Sequence, residues 1–420
     1  MNRGFYIIMA AQFCSALADN ALLIAAIALL REMNAPSSQE PLLKLFFTVS
    51  YVALAAFVGA FADSMPKWRV MFISNTVKIV GCALMFLHLH PLAAYAVVGL
   101  GAAAYSPAKY GILTEYLPHR LLVVANGWIE GLTVAAIILG TGLGGLLISP
   151  GVAAKLLAFD LPMIDTGINT APEMALCVIG GFYLLAAVFN RYIPDTGVDH
   201  KPFHKNPLYL LQDFRHCVAL LWRDKLGQVS LATTTLFWGA GATLQFIVIK
   251  WAETALHLDL SKASMLQVVT ALGIAVGSVL AARMISLRRA VTVVPLGIAM
   301  GVIVMAMVFV NQLWVAIPLM ILIGALAGFF VVPMNALLQH RGHVLMGAGH
   351  SIAVQNFNEN LAILVMTGTY SVLIAADVSI NTVIVMFGFL VAGTMWLVKR
   401  RHDANQRQFD SVALLDDLKH

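Results

Sequence analysis

Asp19 stands in the middle of an apolar run, "SALADNALLIAAIALL", Ser15 to Leu30. A carboxylate turned to lipid there would cost about 3 kcal/mol or more. Steps of three and four return to one face of a helix, so Gln12, Ser15 and Asp19 form a polar stripe, with Asn20 beside it. The pattern recurs further on. Glu130 lies four after Asn126 and three before Thr133. Glu359 is flanked by Asn356, Asn358 and Asn360, with Ser351 and Gln355 on nearby turns. Lys78 and Lys109 are basic residues inside apolar spans, and Lys109 follows Pro107, where a helix bends or loses a bond. Intramembrane ionisable residues point to function by default. A structural carboxylate paired with Lys78 or Lys109, and amide bonds between helices, explain the same residues without a function.

The elements that carry these residues follow from composition. Of 420 residues, 60% are hydrophobic and 11% charged, against about 25% charged in soluble domains. The chain reads as an all-α polytopic membrane protein. About 20 apolar residues cross the hydrocarbon, which gives twelve spans, at 5–30, 43–62, 70–89, 92–114, 121–148, 173–192, 228–252, 261–284, 291–310, 313–339, 345–375 and 380–398. The polar stretch 191–228 parts them six and six. The expected organisation is an N-terminal half 1–192, a cytoplasmic linker 193–227, a C-terminal half 228–400 and a cytoplasmic tail 401–420. Within the linker, apolar residues from Leu208 to Trp222 have helical spacing and suit a helix along the membrane surface.

The net charge of +5 does not mark a nucleic-acid binder, because its basic residues sit in short loops rather than one patch. With both termini in the cytoplasm, the even-numbered loops and termini hold 19 of the 26 Lys and Arg residues, which fixes that orientation. The four cysteines are scattered without a CxxC, so neither a disulfide framework nor a metal site is expected. The first apolar run is too long for a cleaved signal. No P-loop, HExxH or HxxxxD pattern occurs, so the chain reads as no enzyme and no cofactor is expected. His340, His343 and His350 read as solvated residues of a loop.

The halves echo one another. Pro107 precedes Glu130 by 23 residues and Pro333 precedes Glu359 by 26. Two six-helix halves related by an internal repeat are the pattern of secondary transporters, with the substrate near the midplane. "GAFADSMPKWRV" after the second span places Asp63 four after Gly59, followed by Lys67 and Arg69. This resembles the loop signature of the major facilitator superfamily, in which the resemblance implies a cytoplasmic latch. The counterpart after the eighth span keeps Gly277, Arg283, Arg288 and Arg289 but has Ala281 in place of the aspartate. Gly127, Gly140, Gly144 and Gly145 match the superfamily's antiporter motif weakly, and close helix packing explains them equally well.

"AQFCSALADNALLIAAIALL", "GAAAYSPAKYGILTEYL", "ANGWIEG", "LFWGAGATLQF" and "GFFVVPMNALLQHRG…GAGHSIAVQNFNEN" together resemble the bacterial lysophospholipid transporters, over nearly all of 5–398. The resemblance implies a flippase of the bacterial inner membrane. It would move lysophospholipids, chiefly lysophosphatidylethanolamine, from the outer to the inner leaflet, by alternating access with the lipid entering sideways. A separate cytoplasmic acyltransferase/acyl-carrier-protein synthetase would then reacylate them. Besides that enzyme the expected partners are the lysophospholipid and membrane lipids, and a monomer is expected. The family's charged residues fall on Asp19, Lys109, Glu130 and Glu359. Relatives can carry an arginine where this chain has Gln245, which leaves two alternatives for the basic partner of Asp19 or of a lipid phosphate: it is absent, or it has moved to Lys78 or Lys109. A cation-coupled exporter of the same superfamily and a scaffold that docks the acyltransferase stay open on sequence alone.

Overall fold

Lipid offers the backbone no hydrogen-bond partners, so apolar runs that enter a bilayer close their bonds internally as helices. The computed structural model describes residues 3–35, 39–157, 168–199, 206–258, 260–410 and 412, and the long elements among them are all helical. In chain order these are α1 (Arg3–Glu32), α2 (Gln39–Ala53), α3 (Ala55–Asp63), α4 (Lys67–Phe86), α5 (Pro91–Tyr116), α6 (Leu122–Leu147), α7 (Pro150–Leu157) and α8 (Ala171–Arg191). They continue with α9 (Pro207–Arg223), α10 (Gly227–Ala255), α11 (Leu260–Met284), α12 (Val294–Met305), α13 (Leu313–Met346), α14 (Ala348–Ala375) and α15 (Ile380–Gln408). Nine spans among the described residues are long and apolar enough to cross a membrane, one of them α12 with its flanking turns, and ten if α2 and α3 form one broken span. α5 and α14 are 26 and 28 residues long and carry more polar side chains. They complete the twelve spans read from the sequence.

The differences lie at the ends. α2 and α3 meet at Leu54 with a 65° bend, in a stretch without Pro or Gly. α13 runs to Met346 and α14 starts at Ala348, so the tenth and eleventh spans are parted by Gly347 alone. Its φ of 94° lies in the region glycine tolerates, which lets one residue reverse the chain. The solvated loop expected at His340, His343 and His350 therefore does not exist. All three lie in helices, and His340 and His350 are buried, at 7% and 6% exposure. His350 Nε2 lies 3.1 Å from Asp213 Oδ2, and His343 Nδ1 lies 3.3 Å from Thr114 Oγ1. α15 continues past the expected span end to Gln408; residues 411 and 413–420 of the tail, and 200–205 of the linker, lie outside the described residues.

The chain forms two units, Met1–Ile112 with Ala135–Leu211, and Leu113–Val134 with Gln212–His420. Segment 113–134 groups with the second because Asn126 pairs with Gln339 of α13 and Gly127 fits against Ser278 and Ala282 of α11.

The first unit has a core of Ala18, Ala21, Leu22, Ala25 and Leu29 of α1 against Cys82 and Met85 of α4, Tyr95 and Val98 of α5, and Leu176, Ile179 and Tyr183 of α8. Small residues let α6 approach α1. A Cβ at Gly140 would fall 2.5 Å from the Leu17 carbonyl oxygen, and one at Gly144 2.8 Å from that of Ala21. Close packing is thus what these two glycines do, beside the turn that carries Asp19.

In the second unit α9 is anchored by Cys217 and Leu221, which join Leu231 of α10, Leu338 and Met346 of α13 and Val354 of α14. Phe214 adds an edge contact with Phe357, centroids 5.5 Å apart. α11 and α13 approach so closely that glycine is needed on both, at Gly273 and Gly277 and at Gly324 and Gly328.

Candidate functional site

In the first unit the carboxylate of Asp19 is met on both oxygens. Lys78 Nζ of α4 donates to Oδ2 at 2.7 Å, and Tyr183 OH of α8 donates to Oδ1 at 2.7 Å. Lys78 Nζ also donates to Ser15 Oγ at 3.0 Å, and Ser15 donates to Asn75 Oδ1 at 2.8 Å. The ammonium lies 4.9 Å from the centroid of the Tyr105 ring and 5.6 Å from that of Tyr183. Rings at such distances stabilise a desolvated cation. Lys78 is 1% exposed and the Asp19 side chain 21%. The lysine is therefore the sealed member of the pair, and the carboxylate keeps an open edge.

Sequence sets this geometry locally. Ser15 and Asp19 are four apart on α1, and Asn75 and Lys78 three apart on α4, so each helix shows both groups on one face. Gly101 of α5 makes room for the lysine. A Cβ there would sit 2.8 Å from Lys78 Cγ and 2.7 Å from the Ser74 carbonyl oxygen. Gln12 is fully buried on the same stripe. Asn20 turns back to donate to the Ala16 carbonyl at 2.8 Å. Lys109 Nζ lies over the neighbouring Tyr110 ring, 4.2 Å from its centroid, apart from the described bonds of Asp19.

Sequence reasoning paired Asp19 with Lys78 as one of two options and missed Asn75, Tyr105 and Tyr183. Asn75 carries a signal, a polar residue one turn from a lysine in an apolar span. The tyrosines carry none, since aromatic rings in a span are ordinary core. Tyr183→Phe removes one hydrogen bond to a charged group, a contribution of about 1.5–3 kcal/mol. It is expected to lower the melting temperature of the purified protein by several degrees, read by thermal unfolding in detergent. An unchanged melting temperature contradicts the bond's contribution.

The second unit holds a separate polar cluster. Gln355 Nε2 of α14 donates to Glu359 Oε1 at 2.7 Å and to Asn335 Oδ1 of α13 at 3.0 Å. Glu359 is 6% exposed. Asn126 and Gln339 exchange two amide bonds, both 3.0 Å. Asn335 and Gln339, four apart on α13, were not singled out from sequence, although their spacing puts them on one face. Glu130 lies in α6, but its side chain falls outside the described residues. Gln245 is exposed, and its backbone carbonyl accepts from Gln267 at 3.0 Å.

At the α3–α4 turn, Lys67 Nζ donates to Asp63 Oδ1 at 2.8 Å and to the Ala62 carbonyl at 2.6 Å, with both side chains buried. Gly59 lies one turn before Asp63 in α3, buried with it. Arg69 and Arg191 both lie against the Trp68 ring, at 5.2 and 4.8 Å from its centroid.

No group of three metal-ligating side chains occurs among the described residues. The clusters offer polar surfaces within spans, with a carboxylate in each unit and an ammonium in the first.

Residues 8–367 match the family model of the Major Facilitator Superfamily. The chain is 40% identical over 381 residues to the lysophospholipid transporter LplT of Yersinia enterocolitica, covering 90% of this chain and 89% of that one. It is 39% identical over 405 residues to the protein of that name from Escherichia coli, covering 96% and 97%. Among solved structures, the human organic anion transporter MFSD10 aligns with a TM-score of 0.72 at 14% identity, over 95% of this chain and 100% of that one. The transporter FucP in its outward conformation aligns with a TM-score of 0.72 at 14% identity, over 94% and 98%. At such identities the structures share the fold alone. Matched by the family model over most of its length and by relatives over nearly all of it, the chain belongs to the major facilitator superfamily and, within it, to the bacterial lysophospholipid transporter family.

Proposed function

We propose that the protein is a flippase for lysophospholipids, chiefly lysophosphatidylethanolamine, carrying them from the outer to the inner leaflet of the bacterial inner membrane. A separate cytoplasmic acyltransferase then reacylates them. The observation that carries this reading is the identity of about 40%, over nearly the whole chain, with relatives named for lysophospholipid transport. The site chemistry supports it. A lysolipid head has an ammonium and a phosphate, and its single tail stays comfortable in lipid. The open edge of Asp19 suits the ammonium. Lys78 holds one oxygen of that carboxylate at 2.7 Å. Amides such as those around Glu359 suit phosphate oxygens or glycerol hydroxyls. Both termini lie in the cytoplasm in this reading, following the bias of Lys and Arg. The protein acts as a monomer by alternating access, its lipid entering sideways.

The test uses purified protein in liposomes with fluorescent lysophosphatidylethanolamine in the outer leaflet. Protection of the probe from an impermeant quencher is the readout. Wild type is expected to protect it, and Asp19→Asn to do so at least tenfold more slowly. Active drug efflux without lysolipid movement would overturn the reading in favour of an exporter. No movement of either substrate would favour a scaffold.

A further inference from the structure

We propose that α9 is a membrane-surface helix whose second apolar flank binds the anionic headgroup region of the bilayer that the protein itself spans. At 3.6 residues per turn, α9 has three sides. Leu210, Cys217 and Leu221 are buried, and the last two are seated in the core of the second unit. Roughly 100–160° around the helix lies another apolar side. It carries Leu208, Leu211 and Trp222, which are 68%, 49% and 40% exposed, with Arg215 among them. The third side, with Gln212, His216 and Arg223, is polar and exposed. A helix that only covered a water-facing surface would need two sides.

Charge selects the occupant. The segment's two acids are engaged inward. Asp213 meets His350 at 3.1 Å, and Asp224 takes Arg341 on both oxygens, at 3.2 and 2.6 Å, with that pair nearly buried. Arg215 and Arg223 point outward, so the charge α9 shows to its surroundings is cationic. Position selects it too. α10 starts at Gly227, four residues after α9 ends, so α9 is held within about 14 Å of a transmembrane span. Trp, Leu and Arg on one flank at that depth match the composition of interfacial helices, and each Arg near an anionic surface contributes about 1 kcal/mol. The inference requires only that the chain spans a membrane, and stands apart from the choice of substrate.

Full-length protein, with exposed Cys177 replaced by Ser, is reconstituted in phosphatidylcholine vesicles with and without phosphatidylglycerol. In vesicles with phosphatidylglycerol, a water-soluble maleimide is expected to label Gln212→Cys at least tenfold faster than Leu211→Cys, and both equally fast in denaturant. Brominated phosphatidylglycerol is expected to quench the emission that distinguishes wild type from Trp222→Phe. The double variant Arg215→Gln/Arg223→Gln should lose the preference for brominated phosphatidylglycerol over brominated phosphatidylcholine. Equal labelling at 211 and 212 in vesicles overturns the proposal, as does Trp222 emission insensitive to brominated lipid. Protection at 211 without quenching means that a second copy of the chain covers the flank, and overturns it as well. Lysolipid transport does not enter these readouts, so their failure is distinct from failure of the functional reading.

Discussion

Replacing Lys78 by Met is expected to abolish lysolipid movement and to destabilise the first unit by about 3–5 kcal/mol, the cost of stranding one member of a buried pair. The lysine is sealed among Ser15, Asp19, Tyr105 and Tyr183. Asp19→Asn/Lys78→Met separates structure from function. With both charges gone no ion is stranded, and much of the lost stability should return in thermal unfolding. Transport should not return if the carboxylate receives the lipid ammonium. Recovery of both would make the pair a structural staple, and the proposed role of Asp19 would be wrong. The exchanged pair Asp19→Lys/Lys78→Asp should fold but move no lysolipid, because it turns an ammonium toward the open edge.

This pair also shows how far the residues could be read alone. Asp19 was legible because a carboxylate in an apolar span is costly, and a costly residue must be held by something. The sequence offered Lys78 and Lys109 without choosing between them. The choice is made by a face. Asn75 and Lys78 share one side of α4 and meet Ser15 and Asp19 on α1, a contact across about sixty positions that no local pattern records. The spans were legible for a similar reason, since lipid forces long apolar runs into helices. Their ends were not. Polar residues at 339–350 read as a loop because a histidine or arginine near a span end is normally solvated. Their acid partners, Asp213 and Asp224, lie more than a hundred positions away, in the linker. The bend at Leu54 has no Pro or Gly to announce it. Gln245, where relatives can carry an arginine, left the partner of Asp19 open in the sequence, and Lys78 is the base that meets Asp19 within its own unit.

A single methyl group on α11 is expected to do more damage than most polar changes. Two glycine pairs of GxxxG spacing face each other, Gly273 and Gly277 on α11 and Gly324 and Gly328 on α13. A Cβ at Gly277 would overlap the carbonyl oxygen of Ala325, and one at Gly328 that of Ile274. Neither obstacle is a side chain that can rotate away. Both are backbone, so relief requires the helices to separate along their length. In lipid that separation is not resisted by a hydrophobic drive between helices; it removes the close van der Waals contact that holds them. Gly277→Ala should therefore destabilise the second unit by about 1–3 kcal/mol, as overpacking does, and Gly277→Leu should prevent recovery of folded protein. Gly393 on α15 supplies the control, because a Cβ there meets nothing within 4 Å. Gly393→Ala should stabilise by up to about 1 kcal/mol through helix propensity. Thermal unfolding of the two alanine variants in one detergent thus has opposite expected signs. If Gly277→Ala matches Gly393→Ala, the helices are not in the contact that the glycines define.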